Sequence, residues 1–203
     1  MKTGHFVQCT DFPCLDTRRA SYLVPNVEID PERVSIVLIS EAAPEDPADG
    51  YYAGPDALFA QTTLLAFQDA GAEVASIQDI LDLGIYLTTA VKCAKTGYGI
   101  ATDTVQACSL LLEKELDLFP NVRAWLLMGD VAIKSVNAIA RRNGMPRVIP
   151  AGSTYKIRGG EFYFRGARAF PSYVQAGPAF FVEKSKRKMI AEDIKKAFEL
   201  VRE

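Results

Sequence analysis

The chain of 203 residues is 49% apolar and 24% charged, with a formal net charge of −2. That is enough apolar material for a substantial core and too little net charge to draw nucleic acid or an anionic membrane from a distance, so contact with a polyanion must rest on a local basic patch. No apolar run approaches the ~18 residues of a membrane span, and the opening MKTGHFVQCT has no signal-peptide core; a soluble, cytoplasmic chain with no membrane partner is expected, folded as a single domain over residues 1–203.

Residues 1–33 mix polar, apolar and proline residues without a clean period and read as an irregular arm, with one short helix around Asp16–Tyr22. Its best-defined feature is Cys9-Thr-Asp-Phe-Pro-Cys14. Val34–Ile39 is an almost unbroken β-branched run, which reads as a strand buried on both faces of a parallel sheet, although a buried helix has the same periodicity. Ser40-Glu41-Ala42-Ala43-Pro44-Glu45-Asp46-Pro47 then gathers three carboxylates and two prolines at the strand's carboxyl end, where open α/β sheets place their ligand crevice. Tyr51 and Tyr52 follow. Pro55 suits a first helical turn, and Leu58, Phe59, Thr62, Leu65 and Ala66 share a helical face that ends at Gly71.

Ile77–Leu83 reads as a short helix or turn and Ile85–Val91 as a second buried strand. Lys92–Ala101 is glycine-rich and basic, which suits a loop at a strand's carboxyl end. Thr102 has the chemistry of a helix cap, before a helix whose apolar face is Val105, Cys108, Leu111, Leu112 and Leu116. Val122–Met128 is a third strand, Gly129-Asp130 a turn, and Val131–Asn143 a helix closed by Gly144. Ser153–Arg158 and Glu161–Arg165 pattern as a hairpin around Gly159-Gly160, with Ala167–Ser172 as the last strand. Glu183–Val201 is the closing helix, with a basic first turn at Lys184, Lys186, Arg187 and Lys188. Strands alternating with helices predict an α/β protein, a three-layer α/β/α sandwich on a central, mainly parallel four-stranded sheet. The four cysteines fall in two pairs, Cys9 with Cys14 and Cys93 with Cys108. In a reducing compartment such an even count favours a metal site or core packing over disulfides.

Several of these stretches resemble the iron-sulfur uracil-DNA glycosylases. Ser40–Asp46 followed by Tyr52-Ala-Gly54 resembles their first motif, Gly-Glu-Ala-Pro-Gly, then acids, then Pro-Phe-Val-Gly. Tyr86-Leu-Thr-Thr-Ala-Val-Lys-Cys93 resembles their Tyr-Ile-Thr-Asn-Val-Val-Lys-Cys. Trp125–Gly129 is similar to their Val-Ala-Leu-Gly segment, and Ile190–Ala197 to their closing helix. The resemblance runs over most of residues 9–200 and marks a divergent member: Thr89 stands where the family has an asparagine that reads the uracil edge, and Phe170–Gly177 lacks the histidine of the family's His-Pro-Ser motif.

The resemblance implies a uracil-DNA glycosylase-like fold and a base-excision activity, the hydrolysis of the N-glycosidic bond of a flipped uracil or other damaged base. Glu41 takes the position of the carboxylate that orients or activates water, with Glu45 and Asp46 beside it. Tyr52 takes that of the aromatic residue stacked on the base. Thr89 and Ser172 would contact the base, and Gln175 would replace the missing histidine as hydrogen-bond donor to the leaving base. A 4Fe-4S cluster is implied on Cys9, Cys14, Cys93 and Cys108, against core packing or a zinc site. DNA is the implied partner of a monomer, with the backbone met by Lys184, Lys186, Arg187 and Lys188 and the patch extended by Lys95, Tyr98 and Arg168. Two competing readings keep the fold: a catalytically inactive nucleic-acid or nucleotide-binding protein, and a hydrolase of small nucleosides.

Overall fold

The structure, a computed structural model, describes residues 1–202. Its elements in order are β1 (Thr17–Arg18), β2 (Ile36–Ala42), α1 (Leu58–Asp69), α2 (Ile77–Asp82), β3 (Ile85–Val91), β4 (Ala94–Lys95), α3 (Thr102–Leu116), β5 (Ala124–Met128), α4 (Asp130–Arg142), α5 (Thr154–Ile157), β6 (Phe162–Phe164), β7 (Ala167–Ser172), α6 (Ala179–Val182) and α7 (Lys184–Arg202). The apolar runs become the middle of a sheet because they have no face to give to water. Every residue of β3 and β5 is buried, as are the first five of β2. Alternate residues serve opposite layers. Val37 and Ile39 pack with the apolar faces of α3 and α4, whereas Ile36 and Leu38 pack with those of α1 and α7. The result is a sheet with helices on both faces. No helix among the described residues is long and apolar enough to cross a membrane.

The strand order is β3-β2-β5-β7-β6. The first four run parallel, and β6 is antiparallel to β7, so the sheet has five strands where the sequence pattern predicts four. The difference comes from the hairpin. Thr154–Ile157 is a helical turn rather than a strand, and the chain reverses at Arg165-Gly166, both at positive φ (52° and 79°). Two such residues form the turn whose twist matches a two-residue hairpin. The Arg165 side chain is ion-paired with Asp117 (2.7 Å).

The arm also departs from expectation. Thr17–Arg18 is extended and pairs with Ala94–Lys95; Arg19–Ser21 winds a single turn, as do Thr3–His5 and Pro31–Arg33 elsewhere in the arm. Thr102 lies inside α3; the cap position is Ala101, which has no acceptor of its own. Asp16 of the arm accepts the Ala101 N–H instead (2.6 Å) and also the Thr104 hydroxyl, which explains why the arm lies against α3.

The chain leaves β2 for β3 on one side and then crosses back to β5 on the other. Such a reversal opens a crevice at the carboxyl ends of the strands, because the two connections diverge there.

Candidate functional site

At that reversal lies a cleft of about 840 Å³, bordered by the carboxyl ends of β2 and β5, the segment after β7, and the loop after β4. Glu41 stands in it, half-buried, and its Oε1 accepts the Val131 N–H at the start of α4 (3.4 Å). The cap position of α4 is Gly129, which offers no side chain, so the carboxylate from the neighbouring strand meets the free N–H end of that helix. Gly129 is required for this approach. It sits at φ 101°, and a Cβ there would lie 2.6 Å from Glu41 Oε1 and 2.4 Å from Val174 Cγ2.

The other residues that sequence reasoning selects for base contact are placed differently. The Tyr52 hydroxyl donates to the Leu87 carbonyl (3.0 Å) and accepts the Leu87 N–H (2.9 Å), which closes the free edge of β3. Burial keeps this phenol protonated, its pKa well above the usual value. Tyr52 and Thr89 border a cavity of about 50 Å³ with Pro44, Pro47 and Phe59, room for a few waters at roughly 10–15 Å³ each; on its other side Tyr52 borders a cavity of about 290 Å³ with Tyr51, Leu64 and Ile77. The Thr89 hydroxyl donates to the Val91 carbonyl (3.0 Å).

Gln175 is fully buried, its Nε2 within reach of Tyr51 (3.0 Å), Thr63 (3.2 Å) and Ser40 (3.4 Å). Ser172 is also fully buried and donates to Asp193 Oδ2 (2.6 Å), a carboxylate gripped at both oxygens by Arg158 (2.8 and 3.0 Å). Burial raises the Asp193 pKa against the opposing pull of Ser172 and Arg158. Ser172 and Gln175 thus face the protein interior.

Aromatic faces reach the cleft from elsewhere. Phe59 of α1, Tyr98 of the glycine-rich loop and Tyr173 after β7 all border it. Phe59 and Tyr173 escape a motif-based reading; the available signal was an aromatic residue directly after a strand's carboxyl end, at Tyr173. Lys186 reaches the rim, 5.5 Å from the Tyr173 ring and ion-paired with Glu183 (2.6 Å). Lys95 reaches it beside the fully exposed Tyr98. Lys184 and Lys188 are exposed. Arg187 grips Asp69 of α1 and lies 4.9 Å from the Phe180 ring, which pins α7 in place. Arg168 pairs in register with Ala124, the first residue of β5, at the end of the sheet opposite the cleft.

All four cysteines border a second cavity of about 150 Å³, with Phe12, Tyr22 and Lys92. Phe12 has φ 45°, uncommon for a bulky side chain. Its ring is held by Tyr22 (5.1 Å) and by Arg19 (4.3 Å), and this kink folds the Cys9–Cys14 loop toward the cavity. Burial, then the neighbouring cysteines, push the Cys93 thiol up to about 12. Burial raises Cys108 to about 11 against the pull of the Lys92 backbone N–H. Burial raises Cys14 as well. Among the described residues no three His, Cys, Asp or Glu side chains are placed to share one metal ion. Beneath the cavity Lys92 and Glu115 form a fully buried ion pair, joined by Thr88 and Tyr86.

No family model matches the chain. Over 82 residues the chain is 30% identical to the type-5 uracil-DNA glycosylase of Thermus thermophilus, a match covering 40% of this chain. It spans 37% of that relative's length. This partial match makes the chain distantly similar to a uracil-DNA glycosylase.

Proposed function

We propose that the chain is a divergent DNA glycosylase, which hydrolyses the N-glycosidic bond of a flipped, damaged base in the cleft between β2 and β5. The observation that carries this reading is Glu41, a carboxylate fixed between Gly129 and the start of α4 at the crevice of the sheet. The similarity to a uracil-DNA glycosylase supports it. In the reaction the bond between the sugar C1′ and the base nitrogen breaks, and the electron pair leaves with the base. Water adds to C1′ and gives up one proton, which ends on the departed base anion to give the neutral base; Glu41 orients the water and counters the positive charge that develops on the sugar. Phe59 and Tyr173 offer faces on which an extruded base stacks. Tyr52, Thr89, Ser172 and Gln175 brace the walls from behind. Lys184, Lys186, Lys188 and Lys95 meet the phosphate backbone.

What supports a cofactor here is that all four thiols border one cavity, and a cluster presents a different iron to each of four thiolates. Cys9, Cys14, Cys93 and Cys108 would hold a 4Fe-4S cluster, whose cationic core favours thiolates where burial alone opposes them.

The test is excision from oligonucleotides carrying uracil, hypoxanthine or xanthine by protein purified without oxygen. Alkali-labile sites that form with the unaltered chain and fall ~10²–10⁴-fold in Glu41→Gln support the assignment. DNA binding with no excision by the unaltered chain favours the second reading, a non-catalytic binding protein. That reading draws on the inward-facing Gln175 and on the small cavity at Thr89.

A further inference from the structure

We infer that the groove between α3 and α4 is a second binding site, for phosphodiester groups of the nucleic-acid strand that crosses the cleft; the inference rests on the DNA-directed reading given above. The groove measures about 390 Å³ and carries Lys134, Arg141 and Arg147 over a floor of Val105, Ala138 and Met145. No carboxylate lines it. Among the described residues Arg142 is held by Glu113, whereas its neighbour Arg141 enters no ion pair, and neither does Arg147. Lys134 is held by Asp130 one turn earlier on α4, so in a chain of net charge −2 Arg141 and Arg147 are the two groove cations left without a counter-charge among the described residues, and like charges repel one another. An anion arriving from solution relieves that repulsion.

Arg147 is held in place before any ligand arrives. Its Nε donates to the Ile149 carbonyl (2.8 Å), which fixes the stem and leaves the outer guanidinium nitrogens without a partner among the described residues. The backbone beside it is tied to α4 by Asn137, whose Oδ1 accepts the Val148 and Ile149 N–H groups (both 3.0 Å) and whose Nδ2 donates to the Ile149 carbonyl (3.0 Å). A guanidinium fixed in this way offers a planar fork that matches phosphate oxygens.

The groove continues from the cleft along both walls. On one wall, Asp130 borders the cleft and Lys134, one turn further along α4, borders the groove. On the other, the glycine-rich loop that lines the cleft runs directly into Thr102, which lines the groove. From Asp130 to Arg141 the helix rises about 16 Å at about 1.5 Å per residue. About five phosphates of a B-form strand span that length at 3.4 Å each. A strand held at Lys186 across the cleft therefore reaches the two arginines only if it continues for several nucleotides.

The experiment is fluorescence-anisotropy titration with oligonucleotides of about 4 and about 16 nucleotides over a range of salt. The unaltered chain, Arg141→Gln/Arg147→Gln, Arg141→Lys/Arg147→Lys and Lys186→Glu are compared, with melting curves to establish that each folds. The double glutamine variant should weaken binding of the long strand only and flatten its slope of log K against log salt by about 1.4–1.8, two contacts at about 0.7–0.9 each. The double lysine variant should keep the slope. A glutamine variant with an unchanged slope, while Lys186→Glu still weakens both lengths, overturns the groove and leaves the cleft reading intact. An unaltered chain that binds neither length removes both.

Discussion

At the scale of single residues the cleft depends on Gly129 as much as on Glu41. The glycine has φ 101°, and the space its missing Cβ would occupy is filled by Glu41 and Val174. Gly129→Ala therefore meets both backbone strain and a steric clash. It should destabilise the fold by ~1–3 kcal/mol, measured by urea denaturation, and should lower excision by displacing the carboxylate. Glu41→Gln keeps the shape and should lower excision while leaving the urea midpoint nearly unchanged. The contrast separates a residue that acts from one that makes room for it. Glu41 was singled out in the sequence by its position in a motif that resembles a known family's, since an acid after a strand by local pattern alone is as well read as a cap or a solvent-facing group. The role of Gly129 was not, because it depends on a side chain 88 positions earlier.

Among elements, α3 is the hub of one layer, and its last turns show how. Glu113 receives Arg142 and Asn143 from the end of α4, and Arg165 from the β6–β7 turn lies 3.6 Å away. Burial acts to raise its pKa, but the hydrogen bonds from Arg142 and Asn143 win, and the pKa lies below its ordinary value of 4.5. A carboxylate lowered in the fold binds fewer protons there than in the unfolded chain. Its contribution to stability is complete above the unfolded value near 4.5 and is lost as pH falls through the folded value. Glu113→Gln should thus be less stable at neutral pH and lose less on acidification below about 4.5, a difference that melting curves between acid and neutral pH would detect. The hairpin that Arg165 helps to form was misplaced by sequence pattern. Gly159-Gly160 carries the stronger local turn signal, yet the hairpin turns at Arg165-Gly166, where Phe164 pairs with Ala167 across the two residues.

Over the whole molecule the cysteine cavity joins the arm to the sheet layer. Cys9 and Cys14 belong to the arm, whereas Cys93 follows β3 and Cys108 lies in α3. A cluster bound there ties residues far apart in the chain, so its loss should loosen the arm first. Protein prepared without oxygen should carry iron and a broad visible absorption; Cys108→Ser should lose both and melt at lower temperature. A colourless, iron-free chain that melts at the same temperature as Cys108→Ser would leave the four thiols as packing.

The sequence by itself determined the central strands and the layers. Buried runs at β2, β3 and β5 are apolar on both faces, and such strands have few other places to go. It also set the carboxylates of residues 41–46 at the carboxyl end of β2, which depends on local position, whereas the meeting of the two cysteine pairs at one cavity was decided by the fold. Tertiary structure alone decided which way the polar side chains around the cleft turn. Gln175 meets Ser40 across 135 residues and Thr63 across 112, and Ser172 meets Asp193 on another element. A buried amide or hydroxyl goes wherever the assembled fold offers it a partner, because leaving it unpaired costs roughly 1–3 kcal/mol. No local pattern records where that partner lies.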